Sequence, residues 1–129
     1  MQTSHKMLWT GKIMSGLASL FMLFDVTIHI LGLPVVQDAF IQLGYAPSVA
    51  FPLGILGLAC VVLYLIPRTS ILGAILLTGY LGGAVATHVR VGDPLLSHVL
   101  FPAYIGILFW GGLYFRNEKL RELIPFRKN

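Results

Sequence analysis

Charge is scarce in this chain: only 11% of its 129 residues are Asp, Glu, Lys or Arg, against a hydrophobic fraction of 57%. A water-soluble domain needs far more polar surface to cover itself, so the composition excludes a soluble globular protein and indicates an integral membrane protein of a single domain, 1-129. Cysteine is almost absent. Cys60 stands alone, which rules out an internal disulfide and any paired-cysteine redox motif, and its apolar setting LGLACVVLYL reads as packing. The net charge of +4 would suggest nucleic acid in a soluble protein. Here five of the nine basic residues follow Phe115, where they read as a membrane-flanking tail, so no nucleic-acid partner is expected.

What the chain has in abundance is apolar run. Four stretches approach the ~20 residues that a spanning helix needs: about 12-33, 47-66, 70-89 and 96-115, followed by a basic tail over 116-129. Lys6 and Lys12 before the first stretch superficially suit a signal peptide. That stretch is too long for one and holds Asp25 and His29, so it reads as a mature helix. Short connections predict an all-α membrane protein, an antiparallel four-transmembrane-helix bundle. Lys6, Lys12, Arg68, Arg116, Lys119, Arg121, Arg127 and Lys128 fall on one side and Arg90 alone on the other, which places both termini in the cytoplasm of a cell whose cytoplasmic membrane holds the bundle. Between the first two runs, Val36, Phe40 and Leu43 recur opposite Gln37, Asp38 and Gln42. That pattern fits a short surface helix or an irregular loop.

The polar residues within the runs carry the functional signal. At a rise of about 1.5 Å per residue from Lys12, Asp25 lies roughly 20 Å and His29 roughly 25 Å up the first helix. Counting along the third and fourth helices brings His88, Arg90, Asp93 and His98 to the same outer layer. Asp25 and His29, four apart, share a face and can hydrogen-bond. A carboxylate in hydrocarbon costs at least about 3 kcal/mol, so Asp25 should face the bundle interior with a partner. Gly79 and Gly83 form a G-x-x-x-G pair that lets another backbone approach, inferred to be that of the first helix; Arg90 on the same face then emerges beside Asp25 or His29, snorkels to headgroups or pairs with Asp93. His88 points to another side. Pro102 removes the helical partner of the His98 carbonyl and kinks the fourth helix. Thr78, Tyr80, Thr87 and Tyr104 are neutral hydrogen-bonding groups nearby. Three imidazoles and a carboxylate could hold a metal or a haem, but no H-x-x-x-H or E-x-x-H pair supplies two ligands from one helix, so both are the less favoured readings.

From Leu65 to Tyr114, the segments IPRT, LLTGYLGGAVATHVR and FWGGLY, together with LFDVTIHILGLP in the first helix, resemble the DoxX-like family of small bacterial four-helix membrane proteins. The resemblance implies a four-helix bundle with cytoplasmic termini in the bacterial inner membrane. The wider group is similar to the membrane subunit of a thiosulfate:quinone oxidoreductase, and other relatives are linked to redox systems or to assembly of partner proteins. No catalytic residue carries over from it. Four functions compete. The first is a redox accessory protein that binds a quinone or similar small apolar ligand, with Asp25 and His29 handling protons and His88, Arg90, His98, Tyr80 and Thr78 contacting the ligand. The second is an assembly factor or structural subunit with a membrane protein partner or a second copy on Gly79 to Gly83 or on the Trp110, Gly111 and Gly112 surface. A small transporter and an intramembrane acid-base enzyme complete the set.

Overall fold

The computed structural model describes residues 2–127; Lys128, counted above among the flanking charges, lies outside them. Every element among the described residues is helical. Four helical stretches, His5–Leu31, Pro47–Leu65, Pro67–Arg90 and Leu95–Arg116, are long and apolar enough to cross a membrane.

Helix α1 (His5–Leu31) begins seven residues before the apolar run, because Ser4 caps it by accepting from the Met7 amide at 3.2 Å. It ends where Gly32 takes φ +64° and the chain doubles back, Leu33 N–H bonding to Ile28 O. Pro34 then starts α2 (Pro34–Gln42), so the segment between the first two spans is a helix, with Val36 and Phe40 buried against Ala50, Ile28 and Leu53. A second left-handed glycine, Gly44 at φ +86°, closes α2 and leads through a single turn at Pro47–Val49 into α3 (Ala50–Leu65). The Pro67–Thr69 turn is held by side chains that cap the end of α3: Thr69 Oγ1 donates to Leu63 O and Ser70 Oγ to Tyr64 O, each at 2.7 Å. Helix α4 (Ser70–Arg90) ends at Gly92, and the π-turn Leu95–Val99 precedes α5 (Phe101–Arg116). The fourth span is thus broken just before Pro102, as the missing proline N–H requires. Residues 118–123 fold as α6 (Glu118–Leu123), capped by Asn117. The tail is therefore partly docked: Leu120 is buried, and Arg121 donates to the Tyr114 carbonyl and the Thr3 hydroxyl, both at 2.6 Å.

Helix α1 packs on α3 and α5, and α4 packs on the same two, so α1 and α4 face each other across a diagonal. The core along this axis is built from Met22, Val26, Tyr64, Leu77 and Phe109. Leu17, Leu20, Phe24, Ile55, Val62 and Ile75 are exposed around the outside, a surface suited to lipid chains rather than water. At the end of the bundle that carries the termini, contact is close. A side chain at Gly11 or Gly112 would run into the other helix, and a Cβ on Gly73 would lie 2.6 Å from the Tyr64 Cα. There Arg116 Nη2 donates to Ser15 Oγ (2.9 Å), Ser15 Oγ to Tyr64 OH (2.7 Å), and Tyr64 OH to the Phe109 carbonyl (2.7 Å). This directed chain ties α1, α3 and α5 together.

Candidate functional site

At the opposite end, which we call the far end, the helices part around a cavity of about 570 Å³. Helix α1 contributes Asp25 and His29, α4 contributes Tyr80, Thr87 and His88, α5 contributes Pro102 and Ile105, and α2 closes it with Val36 and Phe40. Asp25, His29 and His88, from two helices across the diagonal, thus share one largely apolar chamber, lined also by Met22, Ile28 and Leu81.

Each histidine is fixed through one nitrogen. The i to i+4 spacing on α1 brings His29 Nδ1 to 2.6 Å from the Asp25 main-chain carbonyl. A carbonyl only accepts, so Nδ1 carries the hydrogen, and Nε2 has no protein partner among the described residues. The Asp25 carboxylate lies 3.6 Å from the same nitrogen, with its side chain 31% exposed and that of His29 15%. The ring also meets the edge of Phe40, 5.3 Å between centroids, which docks α2 against it. On α4, the reversal at Gly92 (φ +74°) bonds Asp93 N–H to His88 O and folds the carboxylate back over the helix end. His88 Nδ1 then donates to Asp93 Oδ2 at 2.5 Å, again leaving Nε2 without a protein partner. An imidazole oriented at Nδ1 by an oxygen offers a defined Nε2 to whatever occupies the chamber.

The other sequence-predicted residues are placed as follows. Asp93 supports His88 and does not line the cavity. His98 is exposed on the π-turn, its ring 6.0 Å from that of His88 and its Nδ1 bonded to Ser97 Oγ at 2.8 Å. Tyr80 lines the cavity, and its hydroxyl makes no hydrogen bond among the described residues. Thr78 does not line it: its hydroxyl donates to Ala74 O and accepts from Trp110 Nε1 at 2.7 Å, joining α4 to α5. Arg90 meets neither Asp25, His29 nor Asp93. Its guanidinium donates to the Leu43 carbonyl beside Gly44, tying the α2–α3 connection to α4, and Tyr45 OH donates to Thr87 Oγ1 at 3.0 Å alongside it. The packing inferred for Gly79 and Gly83 is also corrected. Because α1 lies across the diagonal, the G-x-x-x-G face does not meet it; both glycines are exposed, both border the cavity, and a Cβ on either would meet nothing within 4 Å.

Sequence reasoning missed that α2 supports the site and that Phe21, Phe40 and Phe101 wall it, because an apolar face such as that of Val36 and Phe40 does not state which ring it will meet. Among the described residues no group of three or more His, Cys, Asp or Glu is placed to hold a metal ion. A model of the DoxX-like family matches residues 13–112. No curated protein and no solved structure matches the chain.

Proposed function

Because the chain belongs to the DoxX-like family and holds an ionisable chamber within its membrane-spanning helices, we propose that it is an accessory protein of a membrane redox system that binds a quinone or a similar small apolar molecule. One observation carries this reading. His29 and His88 each have Nδ1 committed to an oxygen and Nε2 uncommitted, and both line one cavity of about 570 Å³, within the range of roughly 300–1,000 Å³ usual for small-molecule sites. A protonated Nε2 donates to a ligand carbonyl, and a neutral one accepts from a ligand hydroxyl. Asp25, beside His29, takes or supplies the proton that accompanies a change of redox state. With a single cysteine the chain has no dithiol of its own, so electrons would come from a partner.

The proposed orientation puts the four spans antiparallel in the bacterial inner membrane with both termini cytoplasmic. In support, Ser15 near the start of α1 bonds to Tyr64 near the end of α3 and to Arg116 at the end of α5, while His29 near the end of α1 abuts Gly54 near the start of α3. Lys6, Lys12, Arg68, Arg116, Lys119 and Arg121 then flank one face of the bilayer, and Arg90 the other. A second reading, a structural subunit that pairs with another helix, is favoured by the exposed Gly79 and Gly83 alone.

The test is thermal unfolding of purified protein with short-chain benzoquinones and naphthoquinones. A ligand at about 100 times its Kd stabilises by about 2.7 kcal/mol, a readily measured rise in Tm. The rise should vanish in His29→Ala and His88→Ala. Absence of any rise with every quinone and quinol tried refutes the proposal.

A further inference from the structure

The cavity is not closed on every side. On the α1–α5 side the lining reaches the surface at Phe21 (36% exposed) and Phe101 (40%), but there the two rings meet edge to face, 5.1 Å between centroids, and narrow the way. Between α3 and α4 the cavity also reaches the outer surface: Leu56 of α3, 52% exposed, and Gly79 and Gly83 of α4, also exposed, all line it. Whatever fills the chamber therefore has a lateral way to the hydrocarbon, bordered by apolar side chains and bare backbone.

The two glycines have no packing use within the chain itself. Neither would bring a Cβ within 4 Å of anything. Glycine in a helix interior is nevertheless less favourable than alanine. The same helix shows what packing glycines look like, since a Cβ on Gly73 would strike the Tyr64 backbone. What Gly79 and Gly83 provide, one turn apart, is room, and that room is continuous with a chamber whose polar groups lie deeper in the bundle.

From this geometry we propose that the ligand is an amphiphile with a compact hydrogen-bonding head and a linear apolar tail, and that the tail leaves between α3 and α4 along a groove floored by Gly79 and Gly83 and edged by Leu56 and Tyr80. The inference rests on the head-group site proposed above and adds a second subsite to it. A partner helix seated on Gly79 and Gly83 would cover the mouth of the chamber, whereas a tail would use it. The continuity between groove and cavity favours the tail.

The experiment compares a head alone, a benzoquinone without a side chain, with the same head carrying a ten-carbon chain, on the full-length protein in one lipid nanodisc composition. Affinity is read as the ratio of tailed to tail-less binding, so partition of the chain into lipid cancels between variants. Gly83→Leu and Gly79→Leu should lower that ratio at least fivefold relative to wild type. Gly82→Leu, on the same turn but not lining the cavity, should leave the ratio unchanged. Gly83→Ala and Gly79→Ala serve if the leucine variants do not fold, and should lower the ratio at least twofold. A ratio indifferent to Gly79 and Gly83, or a change of oligomeric state in their variants with the ratio intact, overturns the tail subsite while the head-group site stands. If wild type binds neither compound, the head-group proposal fails and the subsite with it.

Discussion

Replacing Gly112 by alanine should loosen the bundle where α1 and α5 touch. A Cβ at this position would collide with Ser15 Oγ and lie 2.9 Å from the Ser15 nitrogen and 3.1 Å from the Gly11 carbonyl oxygen. Two of these three neighbours are backbone, so no rotamer change relieves them and the helices must separate. Overpacking of this kind costs about 2 kcal/mol. The displaced Ser15 hydroxyl also loses its bonds to Arg116 and Tyr64, together about 1 kcal/mol at the values measured inside membranes. Alanine returns about 1 kcal/mol through its better helix propensity. The net loss is about 2 kcal/mol, a factor of about 30 in the folding equilibrium. Gly82→Ala meets nothing within 4 Å and should gain up to about 1 kcal/mol. Reversible unfolding of both variants by SDS titration in mixed micelles, followed by circular dichroism, separates them by about 3 kcal/mol. Equal stability, or greater damage from Gly82→Ala, would refute the packing assignment.

Two further outcomes follow from named contacts. Tyr64→Phe keeps the ring packed on Phe109, centroids 4.7 Å apart, but removes the hydroxyl that links Ser15 to the Phe109 carbonyl, and should lower stability by about 1 kcal/mol in the same titration; a loss below about 0.3 kcal/mol would show that the chain of donors is slack. Arg90→Ala frees the Leu43 carbonyl and the Gly44 turn, so hydrogen exchange at the Gly44 and Tyr45 amides, bonded to the Ile41 and Phe40 carbonyls, should quicken at least tenfold while α3 stays protected, and unchanged exchange would mean that Tyr45 and Thr87 suffice to hold α2 down.

The spans were legible in the sequence because membrane thickness sets run length, and Asp25, His29 and His88 could be brought to one level because helical rise is constant. The short connections also make neighbours in sequence neighbours in space, an order that sets the third span across the diagonal from the first; placing Gly79 and Gly83 against the first helix went against it. A G-x-x-x-G pair states that a backbone can come close, but only the arrangement of α1, α3, α4 and α5 decides whether one stands opposite. The partner of Arg90 was hidden, since a main-chain carbonyl such as that of Leu43 is present at every position and marks none. Tyr64 and Arg116 escaped notice for opposite reasons: the first sits in an apolar run like any lipid-facing aromatic, and the second reads as a flanking charge, so neither reveals that Ser15 joins them.

Those failures share a cause that bears on function. The terminal end of the bundle uses its glycines at Gly11, Gly73 and Gly112 for contact and its polar groups for a saturated chain of hydrogen bonds. At the far end α3 still packs closely, Gly54 on His29 and Ile30 and Gly57 on Val26, yet α4 carries glycines that touch nothing and a tyrosine hydroxyl without a partner among the described residues. A bundle selected for stability alone would have filled that face of α4 with alanine or leucine at no steric cost. Keeping it open while α1 and α3 stay tightly joined fits the proposed division of labour, in which the close contacts hold the helices together and the proposed ligand site falls on α4 and the diagonal gap it shares with α1.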